Sequence, residues 1–400
     1  MTETRVDISH VRPEVIGQLT YSTYFIDELI HDVQHEAGEL TIRHTSPKSE
    51  DDLRARISTL IERFTHAEFG FKEGILSEHR VTTPYSGNIL AELLQQNIVK
   101  ELEPGLFLFR EPFVSLLQFF DESFVKKIGR HFGAQQEYYP AIIHGDTLDK
   151  TNHFTSFPEH IHFVTHLRED LDVIESFARD VRQAGGWAGH APAIDQSHVM
   201  AQPRYTINPA TCYHCYEGLQ GEVLAGDGVV RTAVSKVHRY ESKNHREFGR
   251  LLDFTMREVI FVGKPDFVKE RRAKSIELLQ QLVTEWELDC YIENANDPFF
   301  TNDFQVKASF QRNQEMKYEL RMSVPYLDQT ISVSSSNFHS TTFGNAFQIK
   351  AGKRPAVTGC MAFGLERWVF AFLAQYGLDE ARWPQKLLAE FRTWRDGHVH

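Results

Sequence analysis

The sequence has 400 residues, a formal net charge of -12, 41% hydrophobic residues and 12% aromatic residues, including 30 phenylalanines. Such a chain builds two globular domains, or one large domain with an appendage, and is not disordered. Its acidic balance argues against a protein whose main task is a sequence-independent grip on nucleic acid. With no apolar run of about 18 residues and no basic-then-apolar leader, the expectation is a cytoplasmic protein without a membrane span or secretory signal. Cys212, Cys215, Cys290 and Cys360 are too scattered for a disulfide framework and are left for metal binding or burial.

Residues 1–85 read as a small α/β appendage. Tyr21 to Val33 fits a strand or a short helix, GELTIRHT alternates like a strand, and SEDDLRARISTLIERF opens on a Ser-x-x-Asp cap and sets Leu53, Ile57, Leu60 and Ile61 on one helical face. TPYSGN at 83–88 reads as a linker. Residues 86–400 then form the second unit. A long amphipathic helix ends at Gly133, and QQEYYPAIIHG follows as a strand containing Pro140, which suits a sheet edge or a dimer surface. His160, His162 and His166 lie close in sequence but lack an acidic or sulfur partner at ligand spacing, so a local zinc site is not expected. Cys212 and Cys215 form a CxxC without a second such pair; one of the two could join ligands from distant segments.

Residues 234–263 read as strand, polar loop, strand. Arg239 and Glu241 share a face by the period of two, and charged residues including Arg257 and Glu258 run along the second strand. Charges on an inward face, beside a loop rich in Lys243, His245, Arg246 and Arg250, suit a cradle for ATP better than packing. Residues 267–287 form an amphipathic helix with Lys269, Arg271, Arg272 and Lys274 in its first half. Two alternating segments follow, the second carrying Ser334, Ser336 and Asn337. Finally TGCMAFGLERWVFAFL reads as a strand turning at Gly364 into a buried helix. Arg367 there either faces an anion or pairs with Glu366.

The order of these signals resembles motifs 1, 2 and 3 of class II aminoacyl-tRNA synthetases: a helix and strand ending at Pro140, a hairpin with R-x-E and then R-E, and G-L-E-R opening a terminal helix. Within that superfamily SFPEHIHFVTHL, PATCY, ENANDPFF, KYEL, SSNFHSTTFGNAFQI and TGCMAFGLERWVFAFL look most similar to the amino acid:carrier protein ligases, truncated relatives of seryl-tRNA synthetases. The resemblance covers roughly residues 86–390. It implies an α+β fold, with a six-stranded antiparallel sheet flanked by helices, and a homodimer built through motif 1. It also implies a zinc ion held by Cys212, Glu258 and Cys360, with Cys215 as the alternative to Cys212.

By the same resemblance Arg239 clamps the α-phosphate and the substrate carboxylate, Glu241 lies near the adenine amino group, and Arg367 meets the γ-phosphate. Arg250, Phe254 and Ser334 complete the ATP site, and Lys317 and Asn337 join Arg239 and Glu258 around the amino acid. Magnesium would accompany ATP, although Ile331 stands where seryl enzymes place a magnesium-binding glutamate. The implied activity is ATP-dependent activation of a small amino acid, glycine or alanine, followed by transfer to the phosphopantetheine thiol of a carrier protein. Residues 1–85 show no heptads for a tRNA-gripping coiled coil, so tRNA is the less expected acceptor. The basic helix around Lys269 to Lys274 is the candidate landing surface for an acidic carrier. The alternatives are a divergent synthetase acting on tRNA and a non-catalytic paralogue that binds a partner.

Overall fold

The computed structural model describes residues 1–65, 74–187, 196–240, 248–295 and 316–398. The N-terminal unit is a three-stranded antiparallel sheet of β1 (Thr2–Asp7), β2 (Ile30–Glu36) and β3 (Glu39–His44) in the order β1-β3-β2, with α1 (Pro13–Thr23) and α2 (Glu50–Thr65). Helix α2 starts where the sequence signals it. Glu50, Asp51 and Asp52 meet the positive end of the helix dipole, and the Ser49 hydroxyl accepts from Asp52 N–H at 3.2 Å. Its Ile57 and Ile61 face Leu19, Ile30, Leu40 and Ile42 in a core of its own.

Among the described residues the large sheet has eight strands where six were expected. In spatial order they are β4 (Ile75–His79), β8 (Cys290–Asn294), β9 (Lys317–Val324), β10 (Gln329–Ser340), β11 (Val357–Gly364), β7 (Asp253–Gly263), β6 (Gly228–His238) and β5 (Gln135–Gln136). Every pairing is antiparallel except β5 with β6. Strand β4, assigned from sequence to the appendage, is an edge of this sheet, with His79 opposite Cys290. The linker is likewise packed: Tyr85 N–H donates to Gln375 O at 3.2 Å. A Cβ on Gly377, whose φ is +70°, would lie 2.8 Å from the Tyr85 ring. Pro140 is not inside a strand, for the segment breaks into β5 and a short strand at Ile142–His144, and Pro140 falls between them. Proline has no N–H to give a ladder, and the two short edge strands stop on either side of it.

Helices α3 (Phe113–Phe124), α5 (Pro265–Glu285) and α6 (Leu365–Tyr376) cover one face of the sheet; α4 (Cys212–Gly218) lies on the other. The covered face holds most of the aromatic core, with Phe124 stacked on Phe363 at 4.1 Å and Trp368 beside it at 4.9 Å. Every residue of α6 except Arg367 is buried, as the apolar run implies. Burying each such aromatic contributes roughly 1.5–3 kcal/mol, so this face anchors the sheet and frees the other for chemistry. Among the described residues no helix is long and apolar enough to cross a membrane.

Candidate metal centre and nucleotide site

Strand alternation sorts the candidate residues. On β7, Phe254, Met256 and Glu258 point away from the helices, and Thr255 and Arg257 point toward them. On β11, Cys360 and Ala362 share the face of Glu258, since Glu258 pairs with Ala362 and Ile260 with Cys360. Cys212, the first residue of α4, lies over that diagonal, and its N–H donates to Glu258 Oε1 at 3.3 Å. The ligand atoms of Cys212, Glu258 and Cys360 all lie within 4.8 Å of one another, and all three residues are buried. This is the one such group among the described residues, and His160, His162 and His166 form none. Cys215, one helical turn on, is a buried thiol outside the group; burial and the Glu137 charge push it up to about 12.

The trio fits a cation. Cys212 is pushed up by its hydrogen bond with Cys360 and by burial, and Glu258 by burial above all. The contact with Cys212 favours a Cys360 thiolate, but burial and the Glu258 charge outweigh it. Without a positive charge the protonated forms of these groups are favoured, because three anions packed out of water repel each other. Among the described residues Glu258 Oε2 is buried without a hydrogen-bond partner. Two thiolates and a carboxylate within one ion's reach suit zinc, with a fourth position open. Asn337 donates from Nδ2 to Cys360 Sγ at 3.5 Å and to Ser335 Oγ at 3.0 Å, which places it on the metal side of β10. Lys317 lies opposite Asn337 and pairs with Glu319 at 2.9 Å. Burial alone would raise the Glu319 carboxyl, but Lys317 and Arg321 outweigh it and hold it low.

The nucleotide candidates divide. Arg239 donates from Nε to Pro209 O at 3.1 Å and stands 5.7 Å from the Phe254 ring centre, on the face of Glu258. Its charge also opposes the rise of the Glu258 carboxyl. Arg367 is half-buried, with Nη1 donating to Ser332 O at 3.0 Å. Glu241 lies outside the described residues. Arg250 sits 4.6 Å above the Tyr21 ring, against the N-terminal unit.

Ser334 is a correction. Its hydroxyl accepts from the buried Trp368 indole at 2.9 Å on the helix-covered face, so it does not line the ATP site. Three serines in a row offer hydroxyls to both faces, and only the register with β11 shows that Ser335 shares a face with Ala362. Ser334→Ala is therefore expected to cost about 1–3 kcal/mol, the penalty of an indole N–H left without an acceptor. Urea unfolding should show it, and the KM for ATP should stay within about twofold.

Other charges serve packing. Arg257, expected in the cradle, turns to the helices and clasps Asp121 of α3 through two bonds of 2.6 and 2.7 Å. Glu366 accepts from Thr255 and Lys236, which sequence reasoning missed while weighing a pair with Arg367. Arg272 donates to Ser336 at 3.2 Å and lies over Tyr318, so it is turned toward the sheet and not to a landing surface. His339 lies 3.4 Å from Tyr216 Oη and 3.3 Å from Thr358 Oγ1, and Ile331 packs on the main core.

No family model matches the chain. It is 26% identical over 324 residues to the type-2 serine–tRNA ligase of Methanococcus aeolicus, a match covering 78% of this chain and 61% of that relative. It superposes on M. kandleri SerRS, solved with A. aeolicus tRNASec, with a TM-score of 0.70 at 20% identity, covering 93% of this chain and 75% of the other. The cytoplasmic serine–tRNA ligase of Naegleria fowleri, solved with AMP, gives a TM-score of 0.61 at 11% identity over 86% of this chain and 71% of the other. The chain has the α+β fold of class II aminoacyl-tRNA synthetases and is a distant relative of the type-2 serine–tRNA ligases.

Proposed function

We propose that this protein activates a small amino acid, glycine or alanine, with ATP and transfers it to the phosphopantetheine thiol of a carrier protein. The observation that carries this reading is the convergence of Cys212, Glu258 and Cys360 on the sheet face that also presents Arg239 and Phe254. A zinc ion held by that trio would supply an open position for the α-amino nitrogen of the substrate. Arg239 neutralises the substrate carboxylate and the α-phosphate as they approach, Phe254 stacks on the adenine, and Arg367 faces the γ-phosphate. Glu241 takes the adenine amino group by the motif resemblance, and Lys317 and Asn337 border the amino acid. The carboxylate oxygen attacks the α-phosphorus, a P–O bond forms, and pyrophosphate leaves with its magnesium. The protein's part is positioning and positive charge. In the second step the thiolate sulfur attacks the acyl carbon, the thioester forms, and AMP departs with the electron pair.

Exchange of pyrophosphate into ATP, dependent on glycine or alanine and run with the zinc-replete full-length chain, is the first test; no exchange with any amino acid sinks the reading. The second test identifies the acceptor. A holo-carrier protein is expected to gain the mass of one amino acid residue. Charging of total tRNA instead selects the rival reading, which the serine–tRNA ligase names of the relatives favour. A homodimer belongs to the same proposal. Ile142 and Tyr205, which share one face of a small three-stranded sheet, are 42% and 38% exposed and suit burial by a second copy. Sedimentation equilibrium at micromolar concentration should give twice the chain mass, and a monomer contradicts it.

A further inference from the structure

Strand β11 ends at Gly364, whose partner Met256 makes the last pair between β7 and β11. Beyond it, the side chain of Glu366 continues the ladder. Its two oxygens accept from Thr255 N–H at 3.0 and 2.8 Å, and Oε1 also accepts from Thr255 Oγ1 at 2.7 Å and from Lys236 Nζ at 3.3 Å. The carboxylate is 1% exposed, in a place where a charge needs several partners to be tolerated. Those partners are informative. Thr255 follows Phe254, Lys236 on β6 stands three residues before Arg239, which lies just past the end of that strand, and Glu366 itself precedes Arg367. One buried group on the face away from the metal thus ties together the three segments that present the candidate adenine and phosphate contacts. Lys236 reaches on to Asp253 at 3.5 Å, which extends the tie across the hairpin.

We infer that Glu366 is a positioning residue that fixes the separation between Phe254 and Arg367, so that base and phosphates are held at once. The inference rests on the ATP reading above. A site made of two halves gains affinity for the linked ligand only while the halves stay in register. Each half alone is indifferent to their spacing.

The test is equilibrium binding of ATP, adenosine and tripolyphosphate to the zinc-replete full-length chain, to Glu366→Gln and to Thr255→Val. Glu366→Gln should weaken ATP by about 10-fold or more while adenosine and tripolyphosphate stay within about twofold, because only their registration is lost. Thr255→Val keeps the backbone bond and should show the same pattern at about threefold, which covers a Glu366 variant that fails to fold. Equal losses for ATP and for either fragment would overturn the inference, since Glu366 would then act on a half-site or on the fold at large. Unchanged ATP binding in both variants overturns it too. A parent chain that binds no ATP takes down the functional reading and this inference together.

Discussion

Cys360→Ser is expected to strip zinc from the full-length chain and to lower amino acid-dependent ATP–pyrophosphate exchange by roughly 10²- to 10³-fold, because a hydroxyl does not replace a thiolate in zinc's coordination. Cys360 sits diagonal to Glu258 across the β7–β11 pair, and Cys212 closes the triangle from α4. No other described residue completes a three-ligand group, so no spare donor rescues the ion. Asn337→Ala should give a graded version, a loss of roughly 10- to 100-fold in zinc affinity, because its amide supports the Cys360 sulfur without binding the metal itself. Cys215→Ser is the control and should keep one zinc per chain. Metal analysis by plasma mass spectrometry reads all three, and full zinc in Cys360→Ser would mean that the ion is held elsewhere.

Asp121→Ala is expected to destabilise the large sheet by about 3–5 kcal/mol, the cost of leaving a buried guanidinium without its carboxylate. Arg257 is 4% exposed and spends both of its bidentate bonds on Asp121, with a further contact to Thr232 Oγ1 at 3.4 Å. Exposed ion pairs contribute far less, so Lys274→Ala, which breaks a pair with Glu277 on the surface of α5, should change stability by less than about 1 kcal/mol. The double variant Asp121→Leu with Arg257→Met should recover most of the loss, since apolar side chains of similar size need no partner there. Urea unfolding followed by tryptophan fluorescence measures this, and an Asp121→Ala chain as stable as its parent contradicts the assignment. Glu258 follows Arg257 in sequence, so a loosened β7 should also bind zinc more weakly.

The convergence of Cys212, Glu258 and Cys360 and the buried course of α6 are legible in the sequence because the motifs follow one another in order and the strands alternate. Alternation tells which residues share a face. It does not tell which face the helices will cover, and that is why the turn of Ser334 to Trp368 and of Arg257 to Asp121 cannot be read from it. Asp121 lies 136 residues before its partner, and no local pattern joins the two. The early entry of Ile75–His79 into the large sheet is hidden for the same reason, because its partner strand begins at Cys290. Glu366 stands in plain view beside Arg367, yet its role depends on where β11 stops, which only the register shows. A tie of that kind, made by side chains around the end of a strand, is invisible to periodicity.

X-ray absorption at the zinc edge of the purified full-length chain reads the atoms bound to the metal itself. Two sulfur scatterers are expected at about 2.3 Å with the remaining ligands oxygen or nitrogen at about 2.0–2.2 Å, and a lighter ligand should exchange when glycine or alanine is added. A spectrum with no sulfur, or with four, would contradict it.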